Sequence, residues 1–201
     1  MATHFSKELM VQPGENVKLS KYGPDDTLGW EKDHTAKRSL EKMLARLDEL
    51  QYLLYAERKS ALLIVFQALD AGGKDGSIRH VMSGVNPQGC RVTSFKVPSA
   101  EEASHDFLWR IHKALPPQGD IGIFNRSHYE DVLVVRVHNL VPKEVWKRRY
   151  EEINSFEAYL AENNIKILKF FLHISKDEQK KRFLERIDDK NKRWKVSESD
   201  F

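Results

Sequence analysis

Apolar residues follow two alternating rhythms along this chain. From residue 34 to about 58, Leu40, Met43, Leu44, Leu47, Leu50 and Leu54 recur at three- and four-residue intervals, which predicts an amphipathic helix. Leu62-Leu63-Ile64-Val65-Phe66 is then unbroken, the mark of a strand buried on both faces. Glycines follow at once, and residues 77–82 suit a helix. A short strand is expected around 91–95, ahead of Ser99-Ala100-Glu101-Glu102, a capping-box signature that opens a helix running to about Leu115. Pro116-Pro117-Gln118-Gly119 stops that helix, and Ile121-Gly122-Ile123-Phe124 is the next strand. After a polar stretch, Pro142 starts a helix whose buried stripe is Trp146, Tyr150, Ile153, Phe156 and Leu160. Residues 165–174 read as a strand, and Ser175-Lys176-Asp177-Glu178 caps a final helix.

Strands alternating with helices imply an α/β fold, with a mostly parallel sheet covered on both faces. The expected organisation is a single domain over 1–201, with residues 1 to about 30 as an irregular arm marked by Pro13-Gly14 and Gly23-Pro24. No apolar run approaches the roughly 20 residues of a membrane span, and the N-terminal residues show no apolar signal core. A single cysteine, Cys90, suits a reducing compartment, so the cytoplasm is expected. Net charge is +3, too mild for an overt nucleic-acid binder. Yet Lys190, Lys192, Arg193 and Lys195 crowd together close to Lys180, Lys181, Arg182 and Arg186. Such a cluster fits an anionic partner, or a solvated helix face shared with Glu178, Glu185 and Asp188.

The first chemical motif, Gln67 to Ser77, lies between the apolar strand and its helix. Laid on the phosphate-loop pattern GxxxxGK[ST], it matches at Gly73 and Lys74 and departs at both ends, with Ala68 for the first glycine and Asp75 for the hydroxyl residue. Glycines let backbone N–H groups approach a phosphate, and a helix N-terminus favours negative charge. The candidate phosphate-binding residues are therefore Ala71, Gly72, Gly73, Asp75, Gly76 and Ser77, with Lys74 as a mobile cation for the transferring oxygens. Asp70 and Asp75 are oxygen donors for a hard cation such as Mg2+. Asp70 is equally suited to orient an accepting phosphate.

A second loop follows the strand at 121–124: Asn125-Arg126-Ser127-His128-Tyr129-Glu130-Asp131. In a doubly wound sheet, ligands gather beyond the carboxyl ends of the strands, so this loop is expected to face the same crevice. Arg126 is placed to fork across two phosphate oxygens, and Arg136 is a further inward-pointing candidate. His128 invites a phosphohistidine reading, but a lone polar-loop histidine with no patterned carboxylate is the poorer nucleophile. Cys/His clusters with metal-ligand spacing are absent from the sequence.

Asp70-Ala71-Gly72-Gly73-Lys74-Asp75-Gly76-Ser77, the second loop, and Lys192-Arg193-Trp194-Lys195-Val196-Ser197 together resemble the polyphosphate kinase 2 family, and its class III branch in particular. Order and spacing agree from about Leu40 to the last residue. The resemblance implies a three-layer P-loop kinase fold, magnesium dependence, and transfer between inorganic polyphosphate and AMP, ADP or ATP. It puts catalytic roles on Asp70, Lys74 and Arg126, and a basic lid on about 189–200, where Lys192, Arg193 and Lys195 flank Trp194. It also carries a metal-ligand position onto Asn125, where many members have aspartate; a neutral amide is a weaker magnesium partner. Further helices after the lid and a homo-oligomer are likewise implied, and the helix at about 33–58 is suited to cover the sheet or to pair with another subunit. Two rivals predict different behaviour: an ATP-dependent nucleotide kinase of the same fold, and a polyanion-binding module without turnover. No nucleic-acid or membrane partner is expected.

Overall fold

The unbroken apolar run forms β1 (Ala61–Ala68), in which Ala61 and residues 63–66 are buried because the strand is covered on both faces. This computed structural model describes residues 7–31 and 33–195. In chain order the other regular elements are α1 (His34–Glu57), α2 (Lys74–Val81), β2 (Cys90–Thr93), α3 (Ala100–Ala103), α4 (Trp109–Lys113), β3 (Ile121–Asn125), α5 (Glu130–Val137), α6 (Lys143–Glu162), β4 (Ile165–Leu172) and α7 (Lys176–Asp188). Short 3-10 turns add Leu19–Lys21, Pro87–Gly89 and Arg193–Lys195. The chain forms two compact units: one of Met1–Glu41, Leu69–Gly72 and His173–Phe201, the other of Lys42–Ala68 and Gly73–Leu172.

The second unit holds the sheet. Its four strands run in the order β2-β3-β1-β4, and every pairing is parallel. Alternate β1 side chains go to opposite faces. On one face Leu63 and Val65 join Phe124, Phe95, Ile111 of α4 and Leu160 of α6, with Phe156 packed against them. On the other, Ile64 and Phe66 join Ile121, Ile123 and Ile78 of α2, with Leu54 of α1 and Met82 alongside. Helices thus cover both faces of an all-parallel sheet, as the alternating pattern predicts.

Two elements differ from expectation. The helix opened by Ser99 has its full capping box, with Ser99 and Glu102 each bonding the other's backbone N–H, but it ends at Ala103. The Ser104 hydroxyl then donates to the Glu101 carbonyl at 2.7 Å and Asp106 Oδ1 accepts from Leu108 N–H at 3.0 Å, so side chains compete for the helical bonds before α4 restarts. The stretch before Pro142 contains α5, hidden because Val132, Leu133, Val134, Val135 and Val137 carry no helical period. Its first turn holds Glu130 and Asp131, which suit a helix N-terminus.

Gly122 sits mid-β3, where a Cβ would lie 2.8 Å from the Pro116 ring. Gly122→Ala is expected to destabilise the chain by about 1–3 kcal/mol through overpacking. Urea unfolding measures it, and an unchanged midpoint would show that Pro116 gives way freely.

Candidate functional site

After β1 the next four residues, Leu69–Gly72, form a turn in which Gly72 N–H donates to the Leu69 carbonyl at 2.9 Å. Ala71 is buried with φ of 60°, a left-handed conformation that costs a residue with a Cβ about 1–2 kcal/mol. Within the same unit, α7 holds this turn by its carbonyls. Gln179 Nε2 donates to Asp70 O at 2.8 Å, and Arg182 Nη1 donates to Ala71 O at 3.0 Å. Arg182 is itself fixed by Glu178, whose Oε1 accepts from Nε at 2.7 Å. The Asp70 side chain lies on the surface.

In the sheet-bearing unit, Gly73 precedes α2 with φ of 97°, a turn that glycine takes without strain. Lys74 begins the helix, and its ammonium donates to the Ala68 carbonyl at 3.3 Å. Asp75, next in the first turn, accepts a hydrogen bond from Asn125 Nδ2 at 2.5 Å. The residue after Lys74 is thereby bonded to the residue before Arg126. Gly76 is exposed and Ser77 half-buried, its N–H bonded to the Gly73 carbonyl at 2.9 Å.

Arg126 is exposed at φ of 81°, while Ser127 and His128, immediately after it, are fully buried. Such backbone strain is costly and collects where function holds it. Gln67 Nε2 donates to Ser127 Oγ at 2.8 Å. His128 Nε2 lies 3.2 Å from Glu157 Oε1, which also accepts from the Tyr129 hydroxyl at 2.6 Å. Lys169 of β4 completes the cluster, donating to Glu157 Oε2 at 2.6 Å and to the Tyr129 oxygen at 3.0 Å. Burial alone would push the Glu157 carboxyl up, but bonds from His128, Lys169 and Tyr129 outweigh it and hold the group down to about 2. Burial, then the bond to Glu157, pushes the Tyr129 phenol up to about 12. The start of α5 is braced too. Buried Arg110 donates to Asp131 Oδ2 at 3.2 Å and to Lys96 O at 2.7 Å, and Arg149 donates to the Asp131 carbonyl at 2.6 Å.

The structure therefore brings Lys74, Asp75, Asn125 and Arg126 into one bonded neighbourhood. Asp70, Ala71 and Gly72 belong to the other compact unit, as do Lys192 and Arg193. Arg136 stands 5.0 Å over the Trp146 ring, a cation–π contact that accounts for its position. Lys192 pairs with Asp189 at 2.9 Å, and Arg193 Nε donates to Ile187 O at 2.6 Å. Trp194 is 78% exposed, with its indole N–H on Asn191 O. Lys195 ends the 3-10 turn; the rest of the lid motif, including Val196 and Ser197, lies outside the described residues. Full burial leaves the His128 ring no access to a phosphate, which disposes of the nucleophile reading.

No group of three or more His, Cys, Asp or Glu residues able to hold a metal occurs among the described residues. Mg2+ typically takes one or two carboxylates and completes its shell with water and substrate phosphates. Asp70 and Asp75 are hard oxygen donors of the right kind. Asn125 presents its nitrogen to Asp75, which gives it a structural partner of its own. Gln67, Arg110, Glu157, Lys169 and Gln179 were not legible as supports of these loops, because their partners lie far along the chain.

A family model described as polyphosphate kinase 2 matches residues 30–201. An AMP/ADP-polyphosphate phosphotransferase of Meiothermus ruber is 53% identical over 195 residues, covering 96% of this chain and 73% of that relative. An ADP-polyphosphate phosphotransferase of Rhodopseudomonas palustris is 50% identical, covering 97% and 72%. The crystal structure of polyphosphate kinase 2 from Arthrobacter aurescens superposes with a TM-score of 0.88 at 44% identity, over 97% of this chain and 70% of that one. No helix among the described residues is long and apolar enough to cross a membrane.

The Glu157 cluster makes a pH prediction. Its carboxyl is depressed from an ordinary 4.5 to about 2, so the stability it contributes is present above about 4.5 and lost as pH falls toward 2. Between pH 6 and 2.5 the chain should lose roughly 2–3 kcal/mol more than Glu157→Gln does. Urea unfolding at the two pH values measures this; equal losses would remove Glu157 from the acid response.

Proposed function

The chain belongs to the polyphosphate kinase 2 family, an enzyme family with the P-loop kinase fold, and from that premise we propose that it transfers a phosphoryl group between inorganic polyphosphate and AMP or ADP. The observation that carries the reading is the Asn125–Asp75 hydrogen bond, because it joins the residues adjoining Lys74 and Arg126, the two cations a phosphoryl group needs on either side. The relatives' names supply the substrates: polyphosphate with AMP and ADP.

The proposed step is direct and in line. An oxygen of the nucleotide's terminal phosphate attacks the end phosphorus of the polymer, the bond to the bridging oxygen breaks, and a polymer shorter by one phosphate leaves as an oxyanion. The attacking oxygen is already deprotonated near neutrality, so no general base is required. Placement and electrostatics are most of what such transfer asks of a protein. Lys74 would leave its Ala68 contact for the transferring oxygens, with the glycine-loop amides on the neighbouring phosphates. Arg126 would fork across the polymer end. Asp70 or Asp75 would hold Mg2+, which when bound offsets charge on the phosphate oxygens; Asp70 is alternatively an orienter of the accepting phosphate. Lys192, Arg193 and Lys195 would serve as the polymer track. The reading extends to a cytoplasmic homo-oligomer, supported by the lone cysteine and by resemblance.

Incubation with polyphosphate, Mg2+ and AMP or ADP should yield ADP or ATP. Phosphorylation of AMP from ATP, with none from polyphosphate, would favour the ordinary nucleotide kinase. Polyphosphate binding without product at any Mg2+ concentration would favour the non-catalytic module.

Lys74→Ala should lower kcat by ~10³-fold or more, comparable with losing a phosphoryl-stabilising arginine, with little change in Tm. Near-normal turnover would remove Lys74 from the transfer step. Replacing Lys192, Arg193 and Lys195 together should weaken long polyphosphate more than ADP, and added salt should mimic the loss by screening. Equal losses for both ligands, or no salt dependence, would show that the basic segment is not the polymer track.

A further inference from the structure

Arg126 holds a left-handed backbone conformation that its own side chain does not favour, so its neighbours must impose it. Each of the next three residues is anchored. Ser127 takes a hydrogen bond from Gln67 at the end of β1, and His128 and Tyr129 both converge on Glu157 of α6. Both Glu157 oxygens are committed, one to the loop and the other to Lys169 of β4. Lys169 lies opposite Val65 in the parallel pairing of β4 with β1. A single, nearly buried carboxylate therefore couples the loop after β3 to a helix and to the sheet.

We propose that Glu157 is a positioning residue for phosphoryl transfer, which fixes His128 and Tyr129 and through them holds Arg126 in its strained conformation. The proposal rests on the transfer reading, in which Arg126 binds the polymer end. Glu157 itself touches no substrate. Its side chain is 12% exposed, and its three partners account for both of its oxygens. A merely structural carboxylate would stabilise the fold without caring what residue 126 is. A positioning carboxylate acts on the rate through Arg126, and its effect disappears when that arginine is gone. The chemistry of the cluster favours the second: its two loop partners are consecutive residues that begin two positions after Arg126.

The test is a double-mutant cycle on the full chain. Glu157→Gln keeps the shape and removes the charge; Tyr129→Phe removes one donor without leaving a buried group charged and unpaired, and serves should the first variant fold poorly. Either should lower kcat with polyphosphate and ADP by up to about 100-fold, the scale of an ångström-level misplacement, with KM for ADP little changed. In an Arg126→Ala background the same changes should alter kcat by less than about 3-fold, since contributions that act through one residue are not additive. Equal factors in both backgrounds, or a lower Tm with unchanged kcat, would overturn the proposal. Absence of transfer by the unaltered chain would instead sink the functional reading, and amide hydrogen exchange then decides the positioning. Exchange at 126–129 at least ~10-fold faster in Glu157→Gln, with β1 unchanged, supports it. Unchanged exchange in the loop, or loss of protection throughout β1, overturns it.

Discussion

β1 constrains everything else in the sheet-bearing unit. It is hydrogen-bonded on both edges, to β3 through five paired positions and to β4 through eight, and is packed on both faces. A strand so held has one register, because a slip by one residue would turn every side chain to the wrong face. That register sets Phe66 opposite Asn125, so β1 and β3 deliver their next residues at the same level. The contacts Gln67–Ser127 and Asn125–Asp75 follow from this alignment. The parallel arrangement puts both chain exits at the carboxyl end of the sheet, where α/β folds bind ligands.

Buried polar groups are concentrated around the second loop. Arg110, Ser127, His128 and Asp131 are four of the five buried polar residues among the described ones, and each has a named partner near that loop. Polar groups taken out of water are costly when unpaired and rigid when fully paired. Here they replace the regular ladder in fixing a segment that must stay irregular, since Arg126 cannot adopt its conformation within a helix or strand. The glycine turn is treated differently. Its carbonyls at Asp70 and Ala71 are occupied by Gln179 and Arg182 of α7, whose i, i+3 spacing sets them on one side of the helix.

The alternation of strand and helix, the central doubly buried strand, and the two candidate loops after β1 and β3 were legible because they are local in sequence. The start of α6 after Pro142 and the Ser175 cap needed only neighbouring residues. What was not legible depends on distance along the chain. His128 read as a polar-loop residue, yet it is fully buried because Glu157, twenty-nine positions later, receives it. Arg136 read as an inward cation, yet its helix, missed for want of a period, sets it over Trp146. The break between α3 and α4 depends on Ser104 and Asp106 satisfying local backbone groups, a competition that hydrophobic spacing does not register.

The two departures at the core of the motifs become one feature in three dimensions. Asp75 occupies the position that the phosphate-loop pattern gives to a hydroxyl residue, and Asn125 occupies the one onto which the resemblance carries a metal-ligand role. The structure bonds these two side chains to each other. Aspartate at both positions would set two carboxylates in contact, each raising the other's pKa and disfavouring the charged pair. The amide avoids that conflict, because Nδ2 donates to the carboxylate. Asn125 is thus explained by its neighbour Asp75 more directly than by any metal. Two departures that are fifty positions apart in the sequence are one amide–carboxylate pair in the fold.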